Sequence, residues 1–217
     1  MTHWIERVKQ QLSLPLPGEK AHEMAMTYQR PTALEARKSE KPPKESAVLM
    51  LLFPRMHQGL ESMLEWFTVL ILRQQYDGTH SGQVAFPGGK KEPGDASLEQ
   101  TALRETQEEI GVMADQIEII GKLTEIFIPP SNYTVQPYVG VLKSEPLFFP
   151  DTKEVDRVMV EPIDTIMLSH TVQVKPIFLP HYNVTVKSPY FDIQGHTVWG
   201  ATAMMLMEFR EMVKGSR

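Results

Sequence analysis

Cysteine is absent from the 217 residues, which excludes disulfide bonds, thiolate metal sites and a cysteine nucleophile. The chain also lacks a run of about eighteen apolar residues, the length that a membrane-spanning helix needs. Residues 1–20 do not show the charged and then apolar pattern of a secretory signal. We therefore expect a cytoplasmic protein with no membrane partner.

A strong excess of charge of either sign is also missing. The net charge is −5, from 22 basic and 27 acidic residues, and a mildly acidic chain does not favour binding to nucleic acid. The length and a hydrophobic content of 41% are sufficient for one sizeable core. We expect residues 46–217 to form one domain, preceded at 1–45 by a helix and a charged, proline-containing extension.

Short apolar runs at 47–53 and 68–73 predict buried strands, joined by a loop or hairpin connection at 54–66. Pro137 favours an edge strand or a bulge for the strand predicted around it. Further strands and helices are expected at 84–86, 117–128, 133–142, 154–167, 171–179, 182–193 and 199–213. Many strands with few helices indicate an α+β fold with a mixed sheet.

One helix is specified in more detail, at residues 96–110. Ser97 is a good N-cap and, with Gln100 three residues later, predicts a reciprocal capping box. Gly111 is well placed to end the helix in the left-handed conformation.

Glu105, Glu108 and Glu109 share one face of this helix because they are three and four residues apart. Like charges at that spacing cost roughly 0.2–0.5 kcal/mol per pair, and the carboxyl end of a helix disfavours anions. A solvated acidic face is the ordinary explanation of such a cluster. A divalent cation such as Mg²⁺ would instead compensate both costs, because it binds carboxylate oxygens.

The neighbouring residues favour the metal site. Arg104 can hold a carboxylate through two hydrogen bonds, and Gly88 and Gly89 predict a turn that lets the backbone approach a ligand closely. A strand, a glycine turn and a helix with carboxylates together predict a ligand site.

The sequence RETQEEIGV at 104–112 resembles the second half of the Nudix box, R-E-U-x-E-E-x-G-U, where U is a bulky apolar residue. Thr106 occupies the first U position. The first half departs from the pattern, because Ala96 stands where a glutamate is usual and the glycine comes one residue early, at Gly89. Glu92 or Asp95 could take the role of the missing acid.

The segment LILRQQYDGTHSGQVAFPGGK at 70–90 is similar to the one that precedes the box in coenzyme A pyrophosphatases of this superfamily, although Gly78 replaces an expected basic residue. The sequence at 199–203 also resembles that subfamily. The resemblance implies a Nudix-type α/β/α sandwich with a mixed β-sheet. It also implies metal-dependent cleavage of the diphosphate of coenzyme A or its derivatives, which yields 3′,5′-ADP and (acyl-)4′-phosphopantetheine.

The resemblance assigns roles to particular residues. Glu105 and Glu109 would bind Mg²⁺ or Mn²⁺, with Glu108 as a further ligand or as a group that holds water, and Arg104 would orient Glu105. The candidates for substrate binding are Arg73, His80, Gly88 and Gly89, although Arg73 could equally be an exposed strand-end arginine and His80 a loop cap. The general base could be a carboxylate of the box or Glu154, and for Glu154 a surface acid is an equally good interpretation.

Three alternatives stay open at this point. A Nudix hydrolase could act on another nucleoside diphosphate derivative, such as ADP-ribose or NADH. A Nudix-like module could bind a ligand without catalysis, and an unrelated domain could carry an acidic helix face. A small-molecule nucleotide is the expected partner, and exposed strand edges are compatible with a homodimer.

Overall fold

The structure is a computed structural model that describes residues 2–56, 64–78, 80–168, 171–179 and 181–214. The helices are α1 (Thr2–Leu12), α2 (Glu19–Glu23), α3 (Ala33–Arg37), α4 (Leu98–Ile110), α5 (Ile163–Met167) and α6 (Gly200–Lys214). The strands are β1 (Lys44–Met56), β2 (Leu64–Arg73), β3 (Val84–Ala85), β4 (Gly88–Lys90), β5 (Glu118–Lys122), β6 (Ile126–Ile128), β7 (Tyr133–Val141), β8 (Val155–Pro162), β9 (Val172–Leu179), β10 (Val184–Ile193) and β11 (His196–Val198). No helix in the described ranges is long and apolar enough to cross a membrane.

A mixed sheet organises the fold, as predicted. Among the described residues it has eight strands, with the order β3-β2-β1-β7-β5, while β4 pairs with β1, β6 with β7 and β8 with β2. Strand β1 pairs in parallel with β7 and antiparallel with β2. Strands β9, β10 and β11 form a smaller antiparallel sheet. The α+β class is confirmed.

Strand β1 has two buried faces, because successive side chains of a strand point to opposite sides. Met50 and Leu52 belong to the hydrophobic cluster that contains α6. Leu49, Leu51 and Phe53 belong to the other cluster, which includes residues of α4. The sheet therefore lies between α4 on one side and α1 and α6 on the other.

Pro137 does not lie in an edge strand, which corrects the first of the two predicted alternatives. An irregularity does occur in the pairing of β5 with β7, between Ile119 and Gly121. Strand β7 has β1 on one side and β5 and β6 on the other. The carbonyl of Pro137 accepts a hydrogen bond from the Leu123 N–H, in the interval between β5 and β6. The N and C=O of a strand residue point to the same side, so the nitrogen of Pro137, which has no hydrogen, also faces that interval. No hydrogen bond between paired strands is therefore lost.

The first forty-five residues pack on the domain. Ile5 and Val8 of α1 are buried in the same cluster as α6. The segment expected to be a surface extension contains α3, capped by Thr32 and Glu35 in a reciprocal capping box, and the first strand already begins at Lys44. The predicted connection at 54–66 is shorter than expected, because β1 extends to Met56 and β2 starts at Leu64; residues 57–63 lie outside the described residues.

Candidate active site

Helix α4 positions the acidic residues and begins almost as predicted. The Ser97 side chain accepts a hydrogen bond from the Gln100 N–H at 3.1 Å. The Gln100 Oε1 accepts from the N–H of Ala96 at 2.7 Å, not from that of Ser97, so the reciprocal box is displaced by one residue. Gly111 ends the helix with a φ of 74°, the left-handed conformation that glycine adopts most easily.

Gly88 and Gly89 form strand β4 rather than the predicted turn, because they pair antiparallel with β1. A Cβ on Gly88 would lie 2.3 Å from the Ala47 carbonyl oxygen, and its φ is 149°. A Cβ on Gly89 would lie 2.5 Å from the Glu105 carboxylate. Both positions therefore need glycine because another part of the chain lies against the backbone.

Glu109 is the most deeply buried acid of the cluster, with 1% of its surface exposed. Its Oε2 accepts the Gly88 N–H at 2.8 Å, and its Oε1 lies 3.3 Å from Arg73 Nη2. Burial raises the pKa of Glu109 to about 7, against the opposing effects of Arg73 and the Gly88 N–H. Oε1 is buried and has no hydrogen-bond partner, so the ion pair with Arg73 is its polar contact in the described residues.

Arg73 is the last residue of strand β2, and its side chain contacts Glu109 and Gly88. Its Nη2 donates to the Gly88 carbonyl at 2.7 Å, so it is not an exposed strand-end side chain. His80 lies nearby, half-buried, with Nδ1 3.1 Å from Gln83 Oε1. Burial and, to a smaller degree, Arg73 lower the pKa of His80, so the neutral imidazole is favoured.

Arg104 connects the loop before α4 to the acidic face. Its Nε and Nη2 donate to the two Asp95 oxygens, each at 3.0 Å, while Nη1 reaches Glu105 at 3.0 Å and Glu108 at 2.8 Å. These contacts hold the pKa of Asp95 well below its usual range, Arg104 being the main cause. Asp95 and Glu92 are the two candidates for the acid that the motif lacks at Ala96. Asp95 pairs with Arg104, whereas Glu92 only approaches Lys90 at 3.7 Å.

The other acids differ in their surroundings. Glu105 is buried, and burial raises its pKa while Arg104 opposes the rise. Glu108 is exposed and makes its contact with Arg104. Glu154 lines the cleft that contains these residues, and its charge raises the pKa of both Glu105 and Glu109. No three acidic or histidine side chains of the described residues converge on a complete ion site.

Comparisons with known proteins identify the family of this chain. The model of the NUDIX domain matches residues 43–182. The chain is 32% identical over 145 residues to the uncharacterized Nudix hydrolase NudL of Yersinia pestis, covering 67% of this chain and 71% of that protein. The NudL protein of Yersinia pseudotuberculosis gives the same values. This chain belongs to the Nudix family.

The Nudix fold extends over nearly the whole chain. A MutT/nudix family protein from Enterococcus faecalis superposes with a TM-score of 0.50 and 17% identity, covering 99% of this chain and 75% of its own. The predicted Nudix-type sandwich is therefore confirmed.

Thr106 shows how this Nudix chain accommodates a polar residue where the box usually has an apolar one. Thr106 is fully buried, and its hydroxyl donates to the Ala102 carbonyl at 2.7 Å, one turn earlier in α4. Because the helix itself satisfies the hydroxyl, the side chain packs in the core without an unpaired polar group.

The cleft of this Nudix protein has a volume of about 880 Å³. It contains the predicted residues Arg73, His80, Gly88, Gly89, Arg104, Glu105, Glu108 and Glu154, and Glu109 lies behind them. Sequence reasoning missed a second group of cleft residues, which are Tyr28, Arg30, His181 and Tyr182. They come from two segments that are far apart in sequence, 28–30 and 181–182, and belong to no motif, so only the folded chain reveals them.

Proposed function

We propose that this Nudix hydrolase is a metal-dependent pyrophosphohydrolase of coenzyme A or its derivatives. The observation that carries the proposal is the meeting of Glu109, Arg73 and Gly88 at one wall of a large cleft. A carboxylate binds a cation, while a guanidinium and glycine N–H groups bind an anionic diphosphate. These groups in contact with one another therefore suit a site for both.

The residues fit a divalent cation. Nudix hydrolases generally use Mg²⁺ or Mn²⁺. Oε1 of Glu109 is a buried oxygen that has no hydrogen-bond partner and lies at ion-pair distance from Arg73, and a cation would reduce the cost of its burial. Glu105 and Glu109 would hold the ion, with Glu108 as a further oxygen ligand after leaving Arg104. When bound, the cation would neutralise diphosphate oxygens and lower the pKa of water.

The remaining residues bind, orient or accept a proton. Arg104 would hold Glu105 in place, since Asp95 fixes the guanidinium from the other side. Arg73 and His80 would bind the diphosphate from the strand-end side of the cleft. Glu154 would accept the proton of the attacking water, because it lies in the cleft and its charge raises the pKa of the nearby Glu105 and Glu109.

The choice of coenzyme A rests on the sequence at 70–90 and on the size of the cleft. The GQVAFPGG segment resembles that of coenzyme A pyrophosphatases, and its glycines form β4 against the buried acid. A cleft of about 880 Å³ lies in the upper part of the range that ligand sites occupy. That volume suits a long substrate such as coenzyme A.

Incubation of the purified protein with coenzyme A and Mg²⁺, followed by chromatography, tests the proposal. We expect 3′,5′-ADP and 4′-phosphopantetheine, no products with EDTA, and a loss of at least a hundredfold in Glu109→Gln. ADP-ribose and NADH serve as competing substrates. Cleavage of those alone would retain the Nudix chemistry and reject coenzyme A, and no cleavage of any substrate would favour a binding module.

A further inference from the structure

A cluster of aromatic and basic side chains forms part of the cleft wall that no motif of the family explains. The Arg30 guanidinium lies 4.9 Å from the centre of the Tyr28 ring. That ring contacts the Tyr182 ring edge-on at 5.5 Å, and the His181 ring lies 4.8 Å from Tyr182. The cluster joins the N-terminal residues to those that precede β10.

Three polar contacts anchor the N-terminal arm, residues 18–30, that carries Tyr28 and Arg30. Glu208 of α6 is fully buried; it accepts the Gly18 N–H at 3.2 Å and lies 2.9 Å from His22 Nε2. Further along, Thr27 and Ser188 of β10 join their hydroxyls at 2.7 Å. The arm is therefore held on α6 and β10. The backbone that carries Arg30 thus has a fixed position beside the cleft.

Arg30 differs from the other basic side chains of the cleft in its partners. Arg73 contacts Glu109, Lys90 contacts Glu92, and Arg104 contacts three acids. Within the described ranges, Arg30 has no carboxylate within ion-pair distance, and its Nε is buried without a hydrogen-bond partner.

A half-buried guanidinium whose Nε is buried and that has no anion beside it is costly. Burial lowers the pKa of Arg30, which reflects that cost, and the Tyr28 ring compensates only part of it through a cation–π contact. A planar guanidinium with an unused donor is also well suited to a phosphate group. The observations therefore indicate a missing anion at this wall.

We propose that Arg30 forms a second anion subsite of the cleft, which binds a phosphate monoester of the substrate that is not cleaved. The inference rests on the proposed function, and it adds a residue and a contact that select the substrate. In coenzyme A, the group of that chemistry is the 3′-phosphate of the ribose. Tyr28, His181 and Tyr182 supply aromatic surface beside it, which suits the adjoining adenine.

Calorimetric binding of two nucleotides tests this subsite without any turnover. Adenosine 3′,5′-diphosphate and 5′-AMP differ only in the 3′-phosphate, and a buffer with EDTA removes any contribution of a metal. We expect the wild-type protein to bind adenosine 3′,5′-diphosphate about ten- to a hundredfold more tightly. Arg30→Gln should abolish that preference and leave the affinity for 5′-AMP nearly unchanged.

Arg37→Gln is the matched control, because Arg37 lies on the same N-terminal extension and pairs with Glu125, away from the cleft. It should keep the wild-type preference. Arg30→Lys keeps the charge without the planar fork and should retain only a severalfold preference, which preserves the test if Arg30→Gln does not fold. A thermal melt of each variant verifies folding.

Other outcomes would overturn the subsite. The proposal fails if the wild-type protein binds both nucleotides equally, if Arg30→Gln keeps the preference, or if Arg30→Gln weakens both nucleotides by the same factor. The last result would mean that Arg30 stabilises the cleft wall and does not select the 3′-phosphate.

Hydrolysis separates this inference from the proposed function. Cleavage of coenzyme A without an Arg30-dependent binding preference would retain the function and reject the subsite. An Arg30-dependent preference without cleavage of coenzyme A would retain the subsite and reject the function. With active protein, Arg30→Gln should lower kcat/KM about ten- to a hundredfold for coenzyme A and little for 3′-dephospho-coenzyme A.

Discussion

Arg104 and Asp95 face each other through two parallel hydrogen bonds of 3.0 Å, from Nε and Nη2 to the two carboxylate oxygens. Asp95 also accepts from the Thr101 hydroxyl and the Glu92 N–H, both at 2.9 Å. An acid from the loop before α4 thereby fixes an arginine of the helix, which in turn contacts Glu105.

Asp95→Asn should lower both stability and activity. The amide cannot accept from all four donors, so we expect a loss of about 2–4 kcal/mol in the free energy of unfolding. We also expect kcat/KM to fall roughly tenfold or more, because Arg104 no longer holds Glu105 in place. Denaturant unfolding and a hydrolysis assay measure the two effects. Glu92→Gln is the control for stability and should stay within about 0.5 kcal/mol; an equal cost for both variants would refute the assignment.

Alanine at the two glycines of β4 should separate folding from function. Gly88→Ala places a Cβ against the backbone of Ala47 and Val48, and we expect a loss of at least about 3 kcal/mol, since backbone cannot yield. The nearest atoms to the new Cβ of Gly89→Ala are those of the Glu105 carboxylate, which can rotate away. This variant should therefore fold with a cost near 1 kcal/mol while its activity falls at least tenfold. Thermal melts measure the cost in stability, and kcat/KM measures the activity. Full activity of Gly89→Ala would contradict the prediction.

The metal-free protein should lose stability as the pH rises from about 4.5 to about 7. Because burial raises the pKa of Glu109 to about 7, the folded state binds more protons than the unfolded state in that window. Above it, both states are ionised and the full cost, on the order of a few kcal/mol, persists. Urea unfolding in EDTA as a function of pH measures this loss.

Glu109→Gln should flatten that pH dependence and stabilise the metal-free protein at pH 8. Glu99→Gln, on the exposed face of α4, should keep the wild-type curve. An unchanged slope in Glu109→Gln would show that Glu109 is not the group responsible.

The contact between Glu208 and His22 should hold the N-terminal arm on α6. Glu208 is fully buried, accepts from the N–H groups of Gly18 and Thr124, and lies 2.9 Å from His22 Nε2. Glu208→Gln turns one acceptor into a donor that faces other donors. We expect a loss of about 2–4 kcal/mol, which is a fall in Tm of roughly 4–16 °C for a chain of this size. Proteolysis after residue 20 should accelerate as well, and an unchanged rate would mean that the arm is held by apolar packing alone.

Several elements were predictable because their causes are local. The Ser97 cap, the Gly111 end and the shared face of Glu105 and Glu109 depend on residues within one or two turns of helix. The apolar runs at 47–53 and 68–73 correctly indicated two buried strands, since strands buried on both faces are apolar throughout. The roles of the site residues remain predictions.

Other elements depended on chain pairing that no local pattern contains. Pro137 lies in a central strand because the break between β5 and β6 falls opposite its nitrogen. The pair Gly88–Gly89 forms a strand because β1 lies alongside it. In both cases the partner strand decides the outcome, and local propensity yields to it.

Local patterns are enough to predict the α+β class, the Nudix helix and the acids on one of its faces, because helical spacing and caps act over a few residues. The pairing of Asp95 with Arg104, the burial of Glu109 against Gly88 and the position of Arg30 in the cleft appear only in the folded chain. Those contacts join residues that packing brings together, and their energies come from burial and from partners distant in sequence.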